Sequence, residues 1–147
     1  MQYYFVLQST DSLEFYKENR ACKFMVKLYS PLYLEGAWEV GLTLCRLSPT
    51  SREERKSMPD ILLVQSPLCA ALTVVGGKKH LPILNLLSRS TKEEEDQCCW
   101  EFPCPNYRPV EGGFVETIEV NITGKDGVSE PFKTGDSLCM LHLRQRV

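Results

Sequence analysis

"KFMVKLYSPLYLEGAWEVGLTLCRL", residues 23–47, decides the fold class. Phe24, Val26 and Leu28 alternate with Lys23, Met25 and Lys27, the period of two that a strand adopts when one face is wet and the other buried. Pro31 and Gly36 bracket a connection, and a second alternation follows. Trp38, Val40, Leu42 and Leu44 point one way, while Glu39, Gly41, Thr43 and Cys45 point the other. The stretch reads as two neighbouring strands in the wall of a β-sandwich.

Outward from it, the same pattern recurs at strand length. Residues 3–7, YYFVL, form a short aromatic and β-branched run that ends in the turn-forming residues 9–12. Residues 48–60 are polar, charged and proline-flanked, which predicts a surface loop with room for a short helical turn. Short apolar runs follow at 61–64, 69–75 and 81–87, the second closed by Gly76-Gly77-Lys78-Lys79. Residues 88–97 are the most hydrophilic, and Glu93 to Asp96 suit an exposed tip. Prolines limit regular pairing between 98 and 110. Residues 114–123 then alternate with Ile118, Val120 and Ile122 inward, Lys125-Asp126-Gly127 makes a turn, and residues 137–144 supply the last strand. The sum is about eight antiparallel strands and no amphipathic helix of ten residues or more, which predicts an all-β sandwich or jelly roll.

Bulk properties narrow the function. A chain of 147 residues with 43% hydrophobic and 24% charged residues fits one domain, 1–147, with a packed core. The formal net charge of −2 supplies no field toward nucleic acid or an anionic membrane, so the expected partners are proteins. Residues 1–20 lack the basic and apolar regions of a secretory signal, and no run is apolar for the roughly 18 residues that span a bilayer. Synthesis in a reducing compartment is the expectation, with the seven cysteines as free thiols, several of them buried.

Chemistry-bearing residues are sparse. Cys98, Cys99 and Cys104 with His80 or His142 could supply zinc ligands, but they lack a C-x-x-C pair, and neighbouring cysteines in a strand face opposite ways. Two histidines and no G-x-S-x-G elbow give no basis for a nucleophilic triad, and His142, within LHLR, reads as structural or interfacial. Residues 76–80 lack phosphate-loop spacing. Asn121-Ile122-Thr123 is a glycosylation sequon read as chance, and RQRV at 144–147 is too short for a nucleic-acid arm. No catalytic, cofactor-binding or metal-ligating residue is assigned.

Longer blocks carry a resemblance. Residues 1–28 and then PLYLEGAWEVGL at 31–42 contain a methionine-aromatic strand, a Ser-bearing turn, an Asn-bearing segment and an L-x-G-x-W-E-V-G-L block. LPILNLL at 81–87, F-x-x-P-x-Y-x-P-V at 102–110, residues 114–132 and the G-x-x-x-x-x-L-H-L-R ending at 135–144 follow. Together they resemble the jelly-roll penton, or minor capsid, proteins of Polinton/Maverick elements and their adintovirus and adomavirus relatives. CRLSPTSREERK stands where those proteins have a Tyr-Pro and aromatic stretch, and the middle of the chain is shorter than in their longer members. The resemblance implies a non-enzymatic virion protein without cofactors. It would form a homopentamer at the vertex of an icosahedral shell, assemble inside the host cell, and contact a major capsid protein. Lys23, Met25, Lys27 and Met140 are outward candidates for its contacts, not assigned as a site. The alternatives are a β-sandwich binding module for a host protein or glycan, and a small metal or thiol enzyme built on residues 98–104.

Overall fold

The computed structural model describes residues 1–88 and 98–146. The acidic tip expected at 93–96 lies outside the described residues. The order is β1 (Gln2–Gln8), β2 (Lys23–Leu34), β3 (Trp38–Ser48), α1 (Arg52–Ser57), β4 (Ile61–Gln65), β5 (Thr73–Val75) and β6 (Lys79–Leu81). β7 (Ile83–Ser88), β8 (Cys98–Glu101), β9 (Arg108–Val110), β10 (Gly113–Thr123) and β11 (Asp136–Gln145) complete it. The fold is all-β and antiparallel. One sheet runs β1-β11-β3-β8 with β9 also on β3; the other runs β2-β10-β4-β7, and β5-β6 is a separate hairpin.

Pairing is nested. The first strand pairs with the last, β2 with β10, β3 with β8 and β9, and β4 with β7. The two sheets bury their apolar faces against each other, because neither face has another way to leave water. Leu7, Trp38, Val40, Leu42, Cys139, Leu141 and Leu143 come from the first sheet, and Phe24, Leu62, Val64, Ile118, Val120 and Ile122 from the second. The inward sides expected for 24 and 26 and for 118, 120 and 122 are those observed, with Leu28 partly buried against the same core.

Several elements depart from the sequence reading, each for a local reason. β2 does not stop at Pro31 but runs to Leu34, because its pairing with β10 shifts register between Lys27 and Leu32 and leaves the proline, which has no N–H, in the irregular stretch. In β3 the inward role passes from Leu44 to Cys45. Met140 pairs with Leu44 and Leu141 with Leu42, so Thr43 is the extra residue of a bulge that reverses the alternation. Leu44 is only partly buried, whereas Cys45 is fully buried. The run at 69–75 is a strand only from Thr73, and that at 81–87 is split at Pro82 into β6 and β7. Residues 98–110 do pair, as β8 and β9 on either side of an irregular stretch that contains Pro103 and Pro105.

The helical turn within 48–60 is α1. Ser51 caps it by accepting from the Glu54 N–H at 3.3 Å, Glu53 and Glu54 sit at the positive end, and Arg55 and Lys56 at the negative end. Met58, extended before Pro59, ends it. None of its residues is buried, so the helix is held at its ends. Glu54 does this by accepting from the Lys133 N–H at 2.7 Å, the Thr134 N–H at 3.0 Å and the Thr134 hydroxyl.

Candidate functional site

A polar and aromatic network lies on the outer face of the first sheet. Along β11, Cys139, Leu141 and Leu143 point into the core, so Met140, His142 and Arg144 face outward. Gly41 is the cross-strand partner of His142 and presents no side chain. Into that space come Pro105 and Tyr107 from the stretch between β8 and β9. A Cβ on Gly41 would lie 2.8 Å from the Pro105 Cβ and 3.2 Å from the Tyr107 ring. The glycine in W-E-V-G-L is thus the seat for the P-x-Y segment.

His142 is 6% exposed, and both imidazole nitrogens are engaged. Nε2 lies 2.8 Å from Gln2 Oε1, which can only accept, so Nε2 carries the hydrogen. Nδ1 accepts from the Tyr107 hydroxyl at 2.8 Å. The Tyr4 ring stacks on the imidazole at 4.3 Å and 7°, and the Tyr107 ring meets it edge-on. Burial, and then the nearby Arg144 charge, lower the His142 pKa from its ordinary value. The Arg144 guanidinium lies 3.5 Å from the Tyr107 ring centre and donates from Nε to Glu39 Oε1 at 2.7 Å, a bond that raises its pKa. A neutral imidazole with both nitrogens bonded locks the surface in one shape.

Three blocks distant in sequence therefore meet here: Glu39 and Gly41 from W-E-V-G-L, Pro105 and Tyr107 from F-x-x-P-x-Y, and His142 and Arg144 from L-H-L-R. The sequence reading named His142 as structural or interfacial but did not join it to Tyr107, Gln2 or Glu39. The available signal was Gly41, a glycine within an otherwise regular strand, which marks a close approach.

The outward candidates do not form one surface. Lys23, Met25 and Lys27 lie on β2 in the second sheet, and Met140 lies on β11 in the first. Cys98 is buried, whereas Cys99 is exposed, the opposite facing expected of strand neighbours; Cys104 is also exposed. Among the described residues no group of three or more His, Cys, Asp or Glu side chains is placed to hold a metal ion. Gly76 and Gly77, with φ of 62° and 71°, form the β5–β6 turn that puts His80 on an exposed strand. Asn121 sits within β10, paired with Lys23 and Gln65, and its side-chain amide donates to Glu119 at 3.1 Å. The sequon is thus part of a paired central strand. Among the described residues no helix is long and apolar enough to cross a membrane. No protein-family model and no curated protein matches the chain.

Proposed function

We propose that the chain is a structural capsid component: the pentameric vertex capsomer of an icosahedral shell, of the penton type found in Polinton/Maverick elements and their adintovirus and adomavirus relatives. The observation that carries this reading is the convergence on one surface of three sequence blocks behind the resemblance, through Gly41, Tyr107 and His142. The nested strand order supports it, since a long hairpin wound upon itself pairs first with last and second with next-to-last, as a jelly roll does. On this reading the protein acts without catalysis or cofactor. A two-sheet body gives rigidity, and five copies close a ring because each uses two different patches related by a rotation. Its partners are its own copies and a major capsid protein, and its location is the virion, assembled within the host cell.

The test is co-expression with a double jelly-roll major capsid protein and measurement of the purified chain by light scattering. A particle of five times the 16.8 kDa chain that caps vertices in electron micrographs is expected. A second reading, a binding module for a host protein or glycan, is favoured by the exposed aromatic side chains of Tyr29, Tyr33 and Phe114 on the second sheet, the last two 5.1 Å apart. A monomer that retains a defined ligand and leaves vertices empty would replace the capsid reading with this one.

A further inference from the structure

The outer edges of β1 and β2 are treated differently. On β2 the unpaired edge is closed by the preceding segment. The Asn19 side chain accepts from the Met25 N–H at 3.0 Å and donates to its carbonyl at 2.9 Å, and Ser12 Oγ accepts from the Lys27 N–H at 3.0 Å. Arg20 and Lys23 exchange backbone bonds, and the strand carries two lysines and a proline, the usual guards against edge-to-edge pairing.

Among the described residues, β1 has none of these guards from Gln2 to Leu7. Its sequence, QYYFVLQ, contains no charge, proline or glycine, and among the described residues β11 is its one strand neighbour. The Met1 carbonyl accepts from Gln145 and the Ser9 N–H donates to Ser137, so odd-numbered residues turn their backbone groups toward β11. Since facing alternates, the N–H and C=O groups of Gln2, Tyr4, Val6 and Gln8 point to the open side. Gln8 is closed off there, because its N–H donates to the Asp11 carboxylate at 2.8 Å and its carbonyl accepts from the Asp11 N–H at 3.1 Å. Among the described residues nothing bonds the outward backbone groups of Gln2, Tyr4 and Val6.

We propose that β1 is a docking edge whose occupant is β1 of a second copy, paired antiparallel about a two-fold axis at Tyr4. The open groups are themselves symmetric about Tyr4, which fixes the register. Gln2 of one copy faces Val6 of the other and Tyr4 faces Tyr4, each pair exchanging both backbone bonds. The half-exposed inner rings meet as Tyr3 against Phe5, an aromatic cross-strand pair, and no like charges are opposed. The contact joins two first sheets into one continuous sheet. It goes beyond the vertex reading, because it uses the same patch on both copies whereas ring contacts use two different ones.

The test compares the wild-type chain with Val6→Lys and Val6→Pro. The lysine charges the edge, and the proline deletes an outward N–H without touching the β11 ladder. Light scattering over a dilution series should show a wild-type particle whose mass halves on dilution, and variants that stay at the halved mass throughout. Amide exchange should show Tyr4 and Val6 protected only at high concentration, and Phe5 and Leu7 protected at both. If the variants do not fold, that exchange pattern decides alone. A wild-type mass independent of concentration together with fast exchange at Tyr4 and Val6 overturns the proposal. A pentamer unchanged by V6K upholds the vertex reading and overturns this one. A dimer that V6K splits upholds the edge contact and counts against the ring, and a ten-copy particle that V6K halves upholds both.

Discussion

Gly41 is the residue on which the outer face of the first sheet turns, because the side chain it lacks is the space that Pro105 and Tyr107 fill. A methyl group there would meet proline carbons and an aromatic ring, neither of which can swing aside as a flexible side chain would. Gly41→Ala is expected to cost about 1–3 kcal/mol, the usual penalty of overpacking, read as a lowered urea midpoint at unchanged m-value. His142, held beneath Tyr4 and Tyr107, predicts a pH dependence. Its folded pKa is depressed, so below the ordinary histidine value of about 6.5 the unfolded chain binds more protons than the folded one. The stability it contributes is present above that value and is lost as pH falls toward the folded pKa. Urea titrations at pH 7.5 and below should show this decline in the wild-type chain, and His142→Gln should flatten it. An equal slope in both would refute the assignment.

At the scale of elements, short segments are held by single side chains. Helix α1 buries nothing and is tied to the loop before β11 by Glu54, whose pKa is lowered chiefly by its bond from the Thr134 hydroxyl and then by the Lys133 N–H. Glu54→Ala is expected to lower the melting temperature at neutral pH. A depressed carboxylate stabilises above its unfolded pKa and loses that contribution as pH falls through the folded one, so the gap between wild type and variant should close on acidification. A gap that stays constant down to strongly acid pH would show that the helix is held some other way. Gly135, at φ of 85°, sets the entry to β11 next to this tie, and a Cβ there would run into the Ser48 carbonyl. The loop and the end of β3 must therefore be placed together.

Across the whole molecule the two sheets share one core, to which thiols from distant parts of the chain contribute. Cys22, Cys45, Cys69, Cys98 and Cys139 are buried, and Cys99 and Cys104 are exposed. Cys45 and Cys139 face each other across β3 and β11 with sulfurs 3.8 Å apart, and burial pushes the Cys22 thiol up to about 12. In the native protein iodoacetamide should modify Cys99 and Cys104, while the buried thiols become reactive only with unfolding. Mass spectrometry along a urea titration should show the buried set gaining label together with the loss of near-ultraviolet circular dichroism. Early labelling of Cys45 or Cys139 would mean that the sheets separate before the chain unfolds.

How much of this was legible follows from what alternation can report. The inward facing of Phe24 and Val26 and of Ile118, Val120 and Ile122 was readable from the sequence, as were the turns at Gly76-Gly77 and Gly127, because a strand's period of two and a glycine's positive φ are local properties. The exchange of Leu44 for Cys45 was not, since it depends on a bulge that exists only in the register of β3 against β11. Nor was the meeting of Gly41, Tyr107 and His142, or the closing of the β2 edge by Asn19 while β1 stays open. The sequence by itself determined which residues prefer an apolar side. Tertiary structure alone decided which strands became neighbours and which edges stayed unpaired, because pairing joins segments that no local pattern connects.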